Sequence, residues 1–271
     1  MPTLNEKRAT FRQLHKHGCF VMPNPWDAGS AKLLQSHGFK AVATTSAGLA
    51  WSRGVDDGAI TRETVLAHVA EVSAAVGIPL NVDFEAGFGD APAAVGESVR
   101  LCVAAGASGL SIEDCAGPTA KTLYPLDEAV ARLKAARAAI DAAGGSIVLT
   151  GRSEGFIRGA PDLAETIRRL KAYAAAGADC LYAPGIRTGE EIKAVVEAVA
   201  PKPVNVLIGW PSELTVADLA ALGVRRISVG GALARSAWGG FITMAREIAE
   251  QGSFKGFANA AQGSDIIKAL R

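Results

Sequence analysis

Short apolar runs alternate with longer, alanine-rich stretches of helical spacing along the whole chain. One junction recurs between them: a helical segment, a glycine, then a run of apolar residues. It is seen at Ser36–Val42, Ala104–Leu110, Ala175–Leu181 and Ala221–Ile227. Gly38, Gly106, Gly177 and Gly223 each stand where a helix ends in a left-handed residue, a conformation that is costly for any residue with a side chain. Gly77 and the Gly144–Gly145 pair are expected to behave likewise. This pattern predicts eight strands, near Phe20–Met22, Ala41–Thr44, Leu80–Phe84, Gly109–Ile112, Ile147–Thr150, Cys180–Ala183, Val204–Ile208 and Ile227–Val229. Helices lie between them, and Asp162 with Glu165, Thr188 with Glu191 and Thr215 with Asp218 each fit an N-cap followed by an acid three residues on.

Eight strand–helix alternations with no linker or break in composition point to one domain over residues 1–271. The fold class is α/β, a single (β/α)8 TIM barrel. A doubly wound sheet would carry a glycine-rich phosphate turn after its first strand, and Pro23–Ala28 is nothing like one. After Trp238 come extra C-terminal helices, more than a barrel turn requires. Packing against a neighbouring subunit or capping of the barrel would each account for them.

Composition then removes several functions. The 271 residues carry 28 basic and 27 acidic side chains, a formal charge of +1, which suggests neither nucleic acid nor an anionic membrane as partner. No apolar run is long enough to span a bilayer. The basic, amphipathic N-terminus reads as a short first helix, not a transit peptide. Cys19, Cys102, Cys115 and Cys180 show no metal-binding spacing, so free thiols in a reducing cytoplasm are expected.

The chemistry is concentrated where strands end. Asp83 and Glu85 close one predicted strand, and Glu113 and Asp114 the next. Buried carboxylates need positive compensation, and the C-terminal mouth of a barrel is where active sites form. Asp83 and Glu85 are two apart, so an extended backbone would turn both to one side. With Glu113 they form an oxygen-only set suited to Mg2+, with Mn2+ as the alternative occupant. The competing reading has these acids capping helices or pairing with Arg152. Strand ends offer no lysine for Schiff-base chemistry and no histidine for zinc: Lys40 and Lys202 precede their strands, and His15, His17, His37 and His68 fall on helices.

Arg152 closes strand five, where its planar guanidinium suits a substrate carboxylate or an internal pair with Glu154 or Glu113. Asn205 lies inside an apolar strand and must find hydrogen-bond partners there. Thr44–Gly48 ends strand two with small and hydroxyl residues whose backbone N–H groups suit an anion. Asp56 and Asp57 lie on a glycine-flanked loop that suits a solvated turn or a lid over the site. Cys115 is expected to be a small buried filler.

These segments resemble the isocitrate lyase/phosphoenolpyruvate mutase superfamily over nearly the whole chain. The similarity rests on NPWDAGSAKLL, TTSAGLAWSRGVDDG, NVDFEAGFGD, GASGLSIEDC, LTGRSEGF, AGADCLYAPG, KPVNVL and GVRRISVGG, in that order. The resemblance implies a (β/α)8 barrel, assembled as a homotetramer with C-terminal helices exchanged between subunits. It implies Asp83 as the direct Mg2+ ligand, with Glu85 and Glu113 holding its waters. The substrate would be a small α-oxo carboxylate, contacted by Thr45, Ser46, Ala47, Arg152 and Asn205, with Asp57 on the gating loop; the catalytic set is then Asp57, Arg152 and Glu113.

Departures from the family narrow the activity. Isocitrate and methylisocitrate lyases carry a Lys-Lys/Arg-Cys-Gly-His loop after the Glu-Asp pair, and the shorter Cys115–Asp127 segment has none of it. Phosphonomutases carry an asparagine where this chain has Lys121–Thr122, and a histidine near the end of strand six, where this chain reads Tyr182–Gly185. A Mg2+-dependent lyase of the oxaloacetate decarboxylase kind is the favoured expectation. Phosphonomutase, phosphonopyruvate hydrolase and oxaloacetate hydrolase are the alternatives, and a metabolite-binding barrel without turnover is the last.

Overall fold

A computed structural model describes residues 1–116 and 122–271. All eight predicted strands form: β1 Phe20–Met22, β2 Val42–Ala43, β3 Leu80–Asp83, β4 Gly109–Glu113, β5 Val148–Arg152, β6 Cys180–Tyr182, β7 Val204–Leu207 and β8 Arg226–Ser228. Every ladder is parallel, in the order β1-β8-β7-β6-β5-β4-β3-β2. At the remaining seam the Ala43 N–H donates to the Pro23 carbonyl (3.0 Å), which brings the ends of β1 and β2 together. The sheet is a (β/α)8 barrel.

Among the described residues eleven α-helices accompany it. α1 (Leu4–Leu14) precedes the first strand; α2 (Ala28–Ser36) follows it; α3 (Ser46–Ser52) and α4 (Arg62–Ala75) together link β2 to β3. Then come α5 (Pro92–Ala104), α6 (Leu126–Ala142), α7 (Leu163–Ala175), α8 (Gly189–Val199) and α9 (Val216–Ala221), one after each strand through β7. α10 (Ala232–Gln251) and α11 (Gly263–Leu270) make up the C-terminal surplus. The three predicted N-caps are in place: Asp162, Thr188 and Thr215 accept from the backbone N–H groups of Glu165, Glu191 and Asp218.

Gly38, Gly106, Gly177 and Gly223 all adopt positive φ, as do Gly144 and Gly145. Gly77 does not. Helix α4 ends on an extended Val76 (φ −124°), so no left-handed residue is required before β3.

The apolar core lies mainly between the strands and the surrounding helices, with Val82, Leu110, Leu149 and Leu181 among its fully buried members. A second cluster fills the floor of the barrel and includes Phe20, Met22, Ala43, Val148 and Cys180. Phe11 of α1 closes it from below. A Cβ on Gly109 would lie 2.5 Å from the Phe11 ring, so only glycine lets that plug seat. Basic residues of α1 anchor it: Lys7 donates to the carbonyls of Ser73 and Val76, and Arg8 to those of Val103 and Ala107.

Candidate active site

Inward-facing residues at the ends of the strands line a cavity of about 180 Å³. Of the residues singled out from the sequence, Thr45, Ser46, Ala47, Asp57, Asp83, Arg152 and Asn205 share its wall. Glu85 and Glu113 lie off that wall, in the layer of charge around Arg152.

Arg152 organises that layer. Its Nη1 lies 3.1 Å from Asp83 Oδ1 and 3.3 Å from Glu113 Oε2, and its Nε donates to Glu154 Oε1 at 2.5 Å. Arg158 adds a second guanidinium, 3.0 Å from Glu154 Oε2 and 3.7 Å from Glu113 Oε1. The sequence left Arg152 open between a substrate clamp and an internal ion pair, and here it makes the ion pairs. Among the described residues Nη2 takes no part in these contacts.

Acids outnumber bases in this layer: Asp57, Asp83, Glu85, Glu113 and Glu154 face Arg152 and Arg158. Burial, then the charges of Asp83 and Asp57, pushes the Glu85 carboxyl up to about 7. Burial holds Glu113 well above the ordinary carboxylate range despite Arg152. Asp57 is also raised, first by burial and also by Asp83.

Glu85 corrects one expectation. Strand β3 ends at Asp83, and Glu85 sits at φ +47°, in the left-handed region. The two acids are therefore not related by extended-strand alternation. Strain of this kind persists only where the surroundings hold it; here the Glu85 carbonyl accepts from the Glu113 N–H at 3.0 Å, tying the turn after β3 to the end of β4.

Asp57 comes from the loop between α3 and α4. It is half-buried, and its Oδ1 has no hydrogen-bond partner among the described residues, while neighbouring Asp56 is exposed. Ser46, at the start of α3, turns its N–H towards Asp83 Oδ2 (3.4 Å). Strand alternation sends Asp114 the other way, out of the barrel, where it accepts from Tyr173 Oη (2.5 Å), Arg169 and the Glu154 N–H. Cys115 is a buried filler whose Sγ donates to the Thr122 carbonyl. Lys121, which takes the place of the phosphonomutase asparagine, lies outside the described residues.

A divalent cation of the hard kind needs oxygen donors. Among the described residues, no three Asp, Glu, His or Cys side chains close on one point as direct ligands would. What they offer is Asp83 on the cavity wall, flanked by Glu85 and Glu113, whose carboxyls burial pushes up. A hard cation that keeps several waters suits that arrangement. The residues fit Mg2+.

Several wall residues escaped the sequence. Tyr182 places its ring over the Arg152 guanidinium (5.2 Å), and burial pushes its phenol up to about 12. Arg226 and Ser228 of β8 also line the cavity. Behind the wall, Arg158 was also missed: it stands four residues after Glu154 in LTGRSEGFIR, a helical ion-pair spacing that was there to be read. Arg226 gave no such signal, because an arginine at the start of a strand looks like a barrel-bottom surface residue.

Comparison with known proteins agrees with the fold. An oxaloacetate decarboxylase of Bradyrhizobium diazoefficiens is 32% identical over 262 residues, covering 93% of this chain and 88% of that protein. A crystal structure from Burkholderia cenocepacia J2315, provisionally described as a lyase/mutase, is 48% identical with a TM-score of 0.93, covering 98% of this chain and 95% of that one. A phosphonopyruvate hydrolase solved with oxalate and Mg2+ is 29% identical with a TM-score of 0.84, covering 99% and 95%. The family described as phosphoenolpyruvate phosphomutase matches residues 11–249, from within α1 to within α10 and therefore every strand and every residue of the cavity, so the chain belongs to that family.

Proposed function

We propose that the protein is a Mg2+-dependent carbon–carbon lyase acting on a small 2-oxo dicarboxylate, with decarboxylation of oxaloacetate as the leading reaction. The observation that carries this reading is the acid-rich layer around Asp83 beside a cavity that also presents Arg152 and Asn205. The similarity to the Bradyrhizobium oxaloacetate decarboxylase supports the substrate, and the oxalate–Mg2+ complex of the phosphonopyruvate hydrolase supports the metal.

Asp83 would hold the ion directly, with Glu85 and Glu113 positioning its waters. Bound there, Mg2+ supplies a Lewis acid for the negative charge that grows on the keto oxygen. The chain's own groups do the rest. Arg152, through the Nη2 its ion pairs leave over, binds a carboxylate of the substrate. Thr45, Ser46 and Ala47 pack against the other end, and the Asn205 amide donates to it. The C3–C4 bond breaks, carbon dioxide departs, and the electron pair left at C3 takes a proton from solvent. Asp57 covers the cavity with the α3–α4 loop and keeps out bulk water.

Hydrolysis of oxaloacetate to oxalate and acetate is the second reading. It is favoured by Asp57, whose raised carboxyl and unpartnered Oδ1 suit a base for an attacking water.

The same proposal includes a homotetramer in a reducing cytoplasm. Phe241 is 64% exposed on α10, with Trp238 and Ile242 also outward, and Ala234 is the one buried residue of that helix. A partner subunit would cover this face. Helix α11 rests on α2 of its own chain, with Lys32 Nζ donating to the Leu270 carbonyl (3.4 Å). No helix among the described residues is long and apolar enough to cross a membrane.

Incubating the protein with Mg2+ and a panel of 2-oxo and 2-hydroxy acids, with products read by NMR, tests the reading. Pyruvate from oxaloacetate, abolished by EDTA, is expected; oxalate with acetate would favour the second reading. Turnover of phosphonopyruvate alone, or of nothing, would refute both.

A further inference from the structure

Arg226 is 1% exposed at the start of β8, yet no acid pairs with it among the described residues. Its three partners are neutral. Nε donates to Asn205 Oδ1 (2.8 Å), Nη2 to Thr150 Oγ1 (3.0 Å), and Nη1 meets His15 Nε2 at 3.2 Å. A guanidinium only donates, so each partner must accept. His15 is set accordingly: its Nδ1–H donates to the Phe11 carbonyl (2.8 Å), leaving Nε2 as acceptor.

The consequence for Asn205 is an amide that has one orientation. Its oxygen must face Arg226, so its nitrogen faces Ser228, donating to Oγ at 3.0 Å. The second amide hydrogen has no acceptor among the described residues, and Asn205, Ser228 and Arg226 all line the cavity. An isolated buried charge is expensive unless something offsets it. Arg152 and Arg158 are already committed to acids, whereas Arg226 is the cavity-lining cation without one.

We propose that Arg226 is a positioning residue: it locks the Asn205 amide nitrogen towards the cavity and sets an uncompensated positive charge at the cavity floor, so that this end of the site selects an anionic oxygen of the substrate. This rests on the reading of the cavity as an oxo-acid site. Asparagine at position 205 is then required as a donor. An aspartate there would form an ion pair with Arg226, helping the fold and repelling the substrate.

Three variants test it: Arg226→Gln, Arg226→Lys and Asn205→Asp. Oxalate affinity in Mg2+ is measured by calorimetry, KM and kcat with oxaloacetate, melting temperature by calorimetric scan, and the Asn205 rotamer by crystallography. Arg226→Gln is expected to weaken oxalate and raise KM about tenfold or more, with a smaller change in kcat and with Asn205 turned from Ser228. Arg226→Lys should recover part of the affinity. Asn205→Asp should melt at or above the wild-type temperature while losing oxalate affinity by at least about tenfold, a combination a merely structural role does not produce. Folded Arg226→Gln with wild-type affinity and an unmoved Asn205 would overturn the proposal, and so would Asn205→Asp with wild-type affinity. If the wild-type protein itself binds no oxalate, the oxo-acid reading fails, and with it the claim of substrate selection. The Asn205 rotamer in Arg226→Gln then decides the positioning claim.

Discussion

Arg152 Nη1 lies 3.1 Å from Asp83 Oδ1, so the acid proposed to hold the metal is already held by a cation of the protein. A divalent ion reaching Asp83 must share it with that guanidinium. Arg152→Gln removes the competitor and leaves Asp83 and Glu113 short of positive charge. We expect Mg2+ to bind the variant as tightly as the wild type or several-fold tighter. Turnover should fall at least about a hundredfold, because a charge-assisted contact to the substrate is lost. Calorimetric Mg2+ titration beside steady-state rates separates the two effects.

Glu85 tests whether strain is kept for the sake of the site. Its left-handed φ of +47° costs a side-chain-bearing residue on the order of 1 kcal/mol relative to glycine. Glu85→Gly removes that cost together with a half-buried acid. The variant should be more stable by about 1 kcal/mol in urea melts and slower in turnover. Lower stability would show that the Glu85 side chain supports the fold.

His15 provides a pH signature. Burial, then the charge of Arg226, lowers its pKa from 6.5 to about 3. The unfolded chain therefore takes up a proton at pH values where the folded protein does not. Stability from this group is complete above pH 6.5 and is lost as pH falls towards 3. The slope is at most about 1.4 kcal/mol per pH unit. His15→Gln, which retains an acceptor for Arg226, should flatten the acid limb of a stability–pH curve by about one proton; an unchanged limb would place His15 outside this linkage.

Much of this architecture was legible in the chain. Five strands, β2, β4, β5, β6 and β8, follow apolar runs behind helix-ending glycines of positive φ, because the barrel repeats one local rule. Gly77 broke the rule, since Val76 could end α4 in an extended conformation without it. Of the acids and bases read from strand ends, Asp83 and Arg152 share the cavity wall with Asn205 of β7, and Glu113 pairs with Arg152 behind it. Glu85 was reached by the wrong argument, because a turn and not a strand presents it. Asp114 shows the limit of proximity in sequence: adjacent to Glu113, it faces the opposite side and serves Tyr173. Tyr182, Ser228 and Arg226 were missed because their meaning lies in contacts between strands distant in sequence, which no local pattern records.

The most direct test of the account is Mg2+ binding, with oxalate present, to the wild-type protein, Asp83→Ala and Asp57→Ala. Asp83→Ala is expected to lose both the metal and turnover. Asp57→Ala should keep the metal and lose turnover, because its carboxylate belongs to the loop over the cavity. Normal metal binding and normal rates in Asp83→Ala would contradict it.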